Sequence, residues 1–226
     1  MSTDGKELQF NGFPRDFADF LASLQFSNTV EALPENKQAY ERLISEPLTL
    51  LFQGLTQTAL SVSETIITKP SKCISSMYTD RRFSRHAPLK EYMYIRFREP
   101  FREQDVLGLY FDMGCGSYSY GIRIYKQTSA GMDRVRNGVL ENEKAYASEL
   151  SCLNKLGFVL NGDMFARDHF PGVKNETVKS LLNRKNFYVV RNCLISDAVF
   201  TGKLQSEISA AYTALKSFYF LMKKSL

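Results

Sequence analysis

The feature that most limits the fold is a run of three strand-like segments in the middle of the chain. In Tyr92–Arg98 apolar and polar residues alternate strictly, which is the period of a strand with one buried face. Val106–Met113 and Ser117–Lys126 are also strand-like, and the turn Gly114–Gly116 joins them. Short connections favour antiparallel neighbours, because parallel strands need a long crossover. The sequence therefore predicts an antiparallel meander, with a further strand in residues 73–83 ahead of it.

Helix-like patterns lie on both sides of the predicted sheet. Pro14 and Pro34 precede segments whose apolar residues are three and four positions apart. Pro47 falls inside the second segment and lacks an N–H group, so we expect a kink or two abutting helices there. After the sheet, Phe187–Asn192 is predicted to be a short strand and Asp197 to begin a final helix.

These patterns predict an α+β fold, an antiparallel meander of about four to six strands with helices packed on at least one face. The chain has 226 residues, enough for one large core, and it shows no repeat or convincing linker. We therefore expect a single domain over 1–226. Its helical part covers about 14–62, its sheet about 73–126 and its helical or mixed part about 130–222.

Composition narrows the class of protein. No apolar run approaches the roughly 18 residues needed to span a bilayer, and the first residues are polar, so we expect a soluble, cytoplasmic protein. The four cysteines lie far apart without a C-x-x-C pair, which favours free thiols over a zinc site or disulfides. We predict no metal site. The sequence identifies no cofactor and leaves the oligomeric state open.

The positive charge of the chain is concentrated in one segment. Arg81–Arg102 contains seven basic and two acidic residues, and this excess of five equals the net charge of the whole chain, +5. Such a concentration is typical of a surface that faces an anion. The segment is therefore the main candidate for a functional site.

Strand alternation assigns part of this segment to one face of the sheet. Guanidinium groups bind phosphate or carboxylate in a planar geometry, and tyrosine rings provide stacking surfaces. The alternative is a solvated face, on which long arginines cover apolar surface and pair with nearby carboxylates. The residues predicted to share the face are Tyr92, Tyr94, Arg96 and Arg98, with Tyr110, Asp112, Arg123 and Tyr125 on neighbouring strands.

Two further motifs are weaker candidates. Asp168 and His169 are adjacent in a turn-like segment, where a histidine could act as a general base, although an ordinary loop histidine near a carboxylate is the favoured interpretation. The run Gly114–Ser117 is similar to a phosphate-binding loop only in composition. Such a loop precedes a helix, whereas this run lies between two predicted strands, so we interpret it as a hairpin turn.

The segment Tyr78–Ser84, followed by Pro88–Lys90, resembles the signature of the domain of unknown function 2461 family. That signature reads roughly Tyr-Arg-Asp-Thr-Arg-Phe-Ser-Lys-Asp-Lys-Thr-Pro-Tyr-Lys. The matching residues are Asp80, Arg82, Phe83, Ser84, Pro88 and Lys90. Thr79 stands where the family has arginine, and His86, Ala87 and Leu89 also differ. The chain therefore resembles a divergent member.

The resemblance extends over nearly the whole chain. Phe10–Pro14 is similar to the start of the family. Asn36–Pro47 and the segment from Asp168 to Lys185 are similar to later parts of the family. The resemblance implies the same fold and directs attention to the motif. It implies no reaction, because the family has no established activity.

Two functional hypotheses follow, and whether the protein is an enzyme stays open. The first is a pocket for a phosphate- or carboxylate-bearing small molecule, with Asp80, Asp168 and His169 as candidate acid/base groups. The second is a non-catalytic interaction module for a protein or nucleic acid, with nucleic acid the less favoured partner. The predicted ligand-binding residues are Arg81, Arg82, Ser84, Lys90, Tyr94, Arg96 and Arg123.

Overall fold

The computed structural model describes residues 9–80, 82, 87–100 and 103–226, which form an α+β fold around one antiparallel sheet of five strands. The strands lie in the order β1-β2-β3-β5-β4, so the predicted meander of the first three is confirmed. They are β1 Met93–Arg98, β2 Val106–Met113, β3 Ser117–Tyr125, β4 Val159–Asn161 and β5 Tyr188–Leu194.

Helices precede the sheet, connect its later strands and end the chain. None of those within the described ranges is long and apolar enough to cross a membrane. The helices are α1 Phe17–Ser27, α2 Leu33–Tyr40, α3 Glu46–Val62, α4 Pro70–Cys73, α5 Ser129–Glu141, α6 Glu143–Lys155, α7 Glu176–Leu182 and α8 Lys203–Ser225.

The core lies between one face of the sheet and the two longest helices. Phe97 of β1 stacks on Phe52 of α3 with ring centroids 5.2 Å apart. On its other side Phe97 meets Tyr212 of α8 edge to face, at 6.3 Å. All three side chains are buried, so this contact joins both helices to the apolar face of the sheet. The prediction of helices on at least one face is confirmed.

The predicted strand in residues 73–83 is wrong in its described part. Pro70 begins the short helix α4, and the following residues make only isolated bridges, Ile74 to Ile95 and Tyr78 to Leu89. The Ser75 hydroxyl accepts the Tyr94 N–H at 3.1 Å, so a side chain replaces the backbone acceptor that a continuous ladder would use. Residues 81 and 83 lie outside the described residues.

The helices agree with the prediction at Pro47 but not at Asp197. Two helical segments abut at Pro47, as expected, because Pro47 lies in the first turn of α3, which directly follows a π-helical turn, Glu41–Ser45. There the Glu46 N–H donates to the Glu41 carbonyl five residues back, and this wider turn accommodates the residue that has no N–H. Asp197 begins a 3-10 turn, Asp197–Phe200, and α8 begins only at Lys203.

Gly12 allows the N-terminal segment to approach the 3-10 turn. Its φ is +107°, and a Cβ atom built on it would lie 2.1 Å from the backbone carbon of Phe200. The neighbouring Phe13 N–H donates to the Val199 carbonyl at 2.9 Å. Both the φ value and the contact therefore require glycine.

We predict that Gly12→Ala lowers the free energy of unfolding by about 1–3 kcal/mol or more, because it adds backbone strain and a clash with the backbone of Phe200. Urea unfolding measures the change. Gly114→Ala is the matched control: no atom lies within 4 Å of its added Cβ, and the change should stay within about 0.5 kcal/mol. Equal effects of the two substitutions would contradict this account.

Candidate functional site

The face of the sheet opposite the core carries a cluster of arginines and tyrosines, which we call the polar face. The strand register places Arg96 opposite Tyr110, and Tyr110 opposite Gly121. This agrees with the arrangement that alternation predicts. The polar face comprises Tyr94, Arg96, Arg98, Tyr110, Asp112, Ser119, Arg123, Tyr125, Tyr188 and Asn192.

Arg96 is held by aromatic rings. Its guanidinium carbon lies 3.7 Å from the centroid of the Tyr94 ring and 5.4 Å from that of Tyr125. Within the described residues it forms no ion pair, and its buried Nε atom has no hydrogen-bond partner. Aromatic stacking, and not a carboxylate, therefore orients this cation.

Arg123 has a similar environment. Its guanidinium lies 4.9 Å from the Tyr110 ring and 5.0 Å from the Tyr188 ring. The nearest described carboxylate is Asp112, whose Oδ2 atom is 4.0 Å from Nη1, at the limit for an ion pair. The Arg123 side chain is 34% exposed. It is a partly accessible cation with one distant counter-charge.

Unsatisfied polar atoms concentrate on the polar face. Across the described parts of the chain, seven buried side-chain nitrogen or oxygen atoms lack a hydrogen-bond partner, and four of them belong to this one face. Buried polar groups are usually hydrogen-bonded, so such a concentration indicates a place where water or a ligand completes the bonding. The four atoms are Arg96 Nε, Tyr110 Oη, Asp112 Oδ1 and Tyr125 Oη.

The tyrosine hydroxyls of this cluster remain protonated. Burial raises the pKa of Tyr110 and of Tyr125 well above the ordinary value, although arginine charges act in the opposite direction. The nearby Ser119 hydroxyl also acts to lower the pKa of Tyr110. Tyr110 is 1% exposed. Both hydroxyls therefore keep a proton that they can donate.

Asp112 is the acidic group of the polar face. Burial raises its pKa, and this outweighs the attraction of Arg123 and Arg96, which lowers it. Since the folded-state pKa lies above the unfolded one, ionisation of Asp112 destabilises the fold as the pH rises through these values. The cost is present at neutral pH and disappears below the unfolded pKa.

We therefore predict that Asp112→Asn increases the free energy of unfolding at pH 7, and that the gain shrinks as the pH falls to about 4. Urea unfolding at several pH values measures this. Asp197→Asn, at a side chain that is 90% exposed, is the control and should change little. A loss of stability on Asp112→Asn at neutral pH would contradict the prediction.

A shallow depression adjoins the polar face near the β2–β3 hairpin. Its volume is about 170 Å³. Asp112, Ser119 and Asn192 line it, together with Tyr92, whose side chain is half-exposed. The depression places the carboxylate of Asp112 beside a space that can hold a few non-hydrogen atoms.

The described part of the motif segment lies along the β1 side of the polar face. The amine of Lys90 is 5.3 Å from the Tyr94 ring, which connects the motif to the arginine cluster. Arg82 pairs with Asp80, donating from Nε at 3.0 Å, and this interaction lowers the pKa of Asp80 to about 2. Asp80 is therefore a fixed anion and a weak base. Arg81 and Ser84, two predicted ligand-binding residues, lie outside the described residues.

Asp168 and His169 lie elsewhere, beyond the β4–β5 edge of the sheet. Asp168 accepts from the Asn183 side chain and pairs with Lys179 at 3.1 Å, and these contacts lower its pKa. His169 stacks on Phe165, with centroids 4.4 Å apart. Among the described residues no hydrogen bond or ion pair joins this pair to the polar face, so the structure does not bring the three acid/base candidates together.

Sequence reasoning missed the contribution of β5. Tyr188 and Asn192 reach the polar face only because β5 pairs with β3 although more than sixty residues separate the two strands. The strand itself was predicted, but no local signal gives the partner of a distant strand. Within the described ranges, no three histidine, cysteine, aspartate or glutamate residues are grouped closely enough to hold a metal ion.

The fold and the polar face define an α+β protein with one antiparallel sheet, helices on its apolar face and arginines on the other. The chain belongs to the family described as conserved hypothetical protein (DUF2461), whose model matches residues 16–220. The resemblance found in the motif is thus confirmed over most of the chain. Comparison with curated proteins gives no match.

Proposed function

We propose that the polar face binds a small molecule that carries a phosphate or carboxylate group. The main support is that tyrosine rings, and not carboxylates, hold the guanidinium groups of Arg96 and Arg123. Arginines that only cover a solvated surface usually pair with acids or extend into water. These two are partly buried, and the only carboxylate within ion-pair distance of either, among described residues, is Asp112 at 4.0 Å.

Pre-organisation favours such binding. An arginine that is already fixed on an aromatic ring loses little side-chain entropy when it binds an anion. The buried hydroxyls of Tyr110 and Tyr125 supply further donors without a competing partner in the described chain. An anion would thus complete the bonding of groups that are otherwise unsatisfied, which lowers the free energy of the complex.

A thermal-shift screen of inorganic phosphate, small carboxylates, sugar phosphates and nucleotides tests this proposal. Ligands that bind only the folded protein raise its melting temperature, and the rise grows with the logarithm of the ligand concentration divided by Kd. At least one anion class should stabilise the wild type, and the shift should be lost in an Arg96→Ala, Arg123→Ala double variant. An absence of stabilisation by every class, or a shift that persists in the double variant, would refute it.

A broader partner is the second candidate, and the small size of the depression favours it. A space of about 170 Å³ holds only part of a large ligand, whereas a sheet face with arginines and tyrosines can contact an extended strand of nucleic acid. Binding to a single-stranded oligonucleotide should then weaken steeply with added salt. Binding that is absent at low salt would exclude this candidate.

A further inference from the structure

Asp112 is an acceptor placed among donors. Its Oδ1 atom is buried without a hydrogen-bond partner in the described residues, and its Oδ2 atom lies 4.0 Å from the Arg123 guanidinium. The side chain is 28% exposed. A ligand that was only an anion would meet this carboxylate as a like charge, which opposes binding. The presence of Asp112 therefore constrains the chemistry of the ligand.

The position of Asp112 indicates where a donor group of the ligand would lie. Its side chain lines the depression together with Ser119 and Asn192, whereas Arg96 and Arg123 lie on the sheet around it. The volume of about 170 Å³ is well above the roughly 10–15 Å³ that one water molecule needs, so the depression holds several waters. A small group with hydrogen-bond donors fits this space beside the carboxylate.

We infer that the ligand carries a primary ammonium group close to its anionic group, and that Asp112 binds the ammonium while Arg96 and Arg123 bind the anion. The inference rests on the proposed function and specifies its substrate class, a small zwitterion. An ammonium group fits better than a hydroxyl, because it both donates to the carboxylate and neutralises a charge that the fold has partly removed from water. Burial raises the pKa of Asp112 although Arg123 and Arg96 act to lower it, which agrees with a carboxylate partly removed from water.

An isosteric pair of probes tests this inference. 2-Aminoethyl phosphate and n-propyl phosphate have the same shape, but the first ends in an ammonium group and the second in a methyl group. By isothermal titration calorimetry, the wild type should bind 2-aminoethyl phosphate at least about tenfold more tightly. Asp112→Asn should remove most of that preference, and it should bind n-propyl phosphate more tightly than the wild type because a like charge is gone.

The outcomes separate the two proposals. Equal affinities for the two probes in the wild type, or a preference that survives Asp112→Asn, would overturn the inference and leave anion binding intact. If neither probe binds while another anion class stabilises the wild type in the thermal-shift screen, the inference fails and anion binding stands. If no anion class stabilises the wild type, both proposals fail. Asp197→Asn removes an exposed carboxylate outside the polar face, and it should keep the wild-type preference. Urea unfolding of each variant confirms that lost binding does not reflect lost structure.

Discussion

Arg96→Ala is expected to weaken the binding of inorganic phosphate by about 10- to 100-fold. Hydrogen bonds to charged groups contribute about 1.5–3 kcal/mol each, and every 1.4 kcal/mol corresponds to a factor of ten in affinity. Arg96 is the best oriented cation of the polar face, with its guanidinium 3.7 Å from the Tyr94 ring. Calorimetric titration at fixed ionic strength measures the loss, because exposed charge effects vary with salt.

Two further variants make this result specific. Arg96→Lys keeps the charge but loses the planar fork, so it should recover only part of the affinity. Arg15→Ala removes an arginine that lies outside the polar face and pairs with Asp197 at 3.5 Å, and it should leave phosphate binding unchanged. Equal losses in Arg15→Ala and Arg96→Ala would show that net charge, and not the polar face, determines binding.

Phe97→Ala is expected to lower the free energy of unfolding by about 3–5 kcal/mol, the usual cost of removing a buried phenylalanine. Phe97 is fully buried between Phe52 of α3 and Tyr212 of α8. Its loss leaves a cavity where both helices meet the sheet, and it removes two aromatic contacts. Equilibrium unfolding in urea measures the change at constant temperature and pH.

The matched control for this substitution is Phe26→Ala. The Phe26 side chain is 89% exposed, so its removal forfeits little buried area and should change stability by less than about 0.5 kcal/mol. If Phe97→Ala cost no more than Phe26→Ala, the assignment of the core to this face of the sheet would be wrong.

The meander and its two faces follow directly from the sequence. Residues of one strand point alternately to the two faces of the sheet. The two-residue period alone therefore assigns Met93, Ile95 and Phe97 to the apolar face, and Tyr94 and Arg96 to the polar face. The glycine-containing turn fixed the pairing of β2 with β3, since so short a connection allows only a hairpin. Local pattern was sufficient wherever the paired segments are neighbours in the chain.

Local pattern was insufficient where distant segments meet. The three residues of β4, Val159–Asn161, are too few for a period, and they are strand only because β5 lies beside them. Arg184 then donates to the Leu160 carbonyl at 2.9 Å, a contact that no sequence rule anticipates. Likewise the pairing of Asp168 with Lys179 depends on how α7 packs. Such tertiary contacts determine which candidate acids are available for chemistry.

The most direct test of the polar face as an anion site is nuclear magnetic resonance of its arginine side chains. The Nε atom of Arg96 has no hydrogen-bond partner in the described chain, so its N–H signal should respond to a new one. On titration with inorganic phosphate, we expect saturable shifts of the Arg96 and Arg123 Nε–H signals and much smaller shifts for Arg15. Shifts of equal size at all three arginines, or none at Arg96, would contradict the proposal.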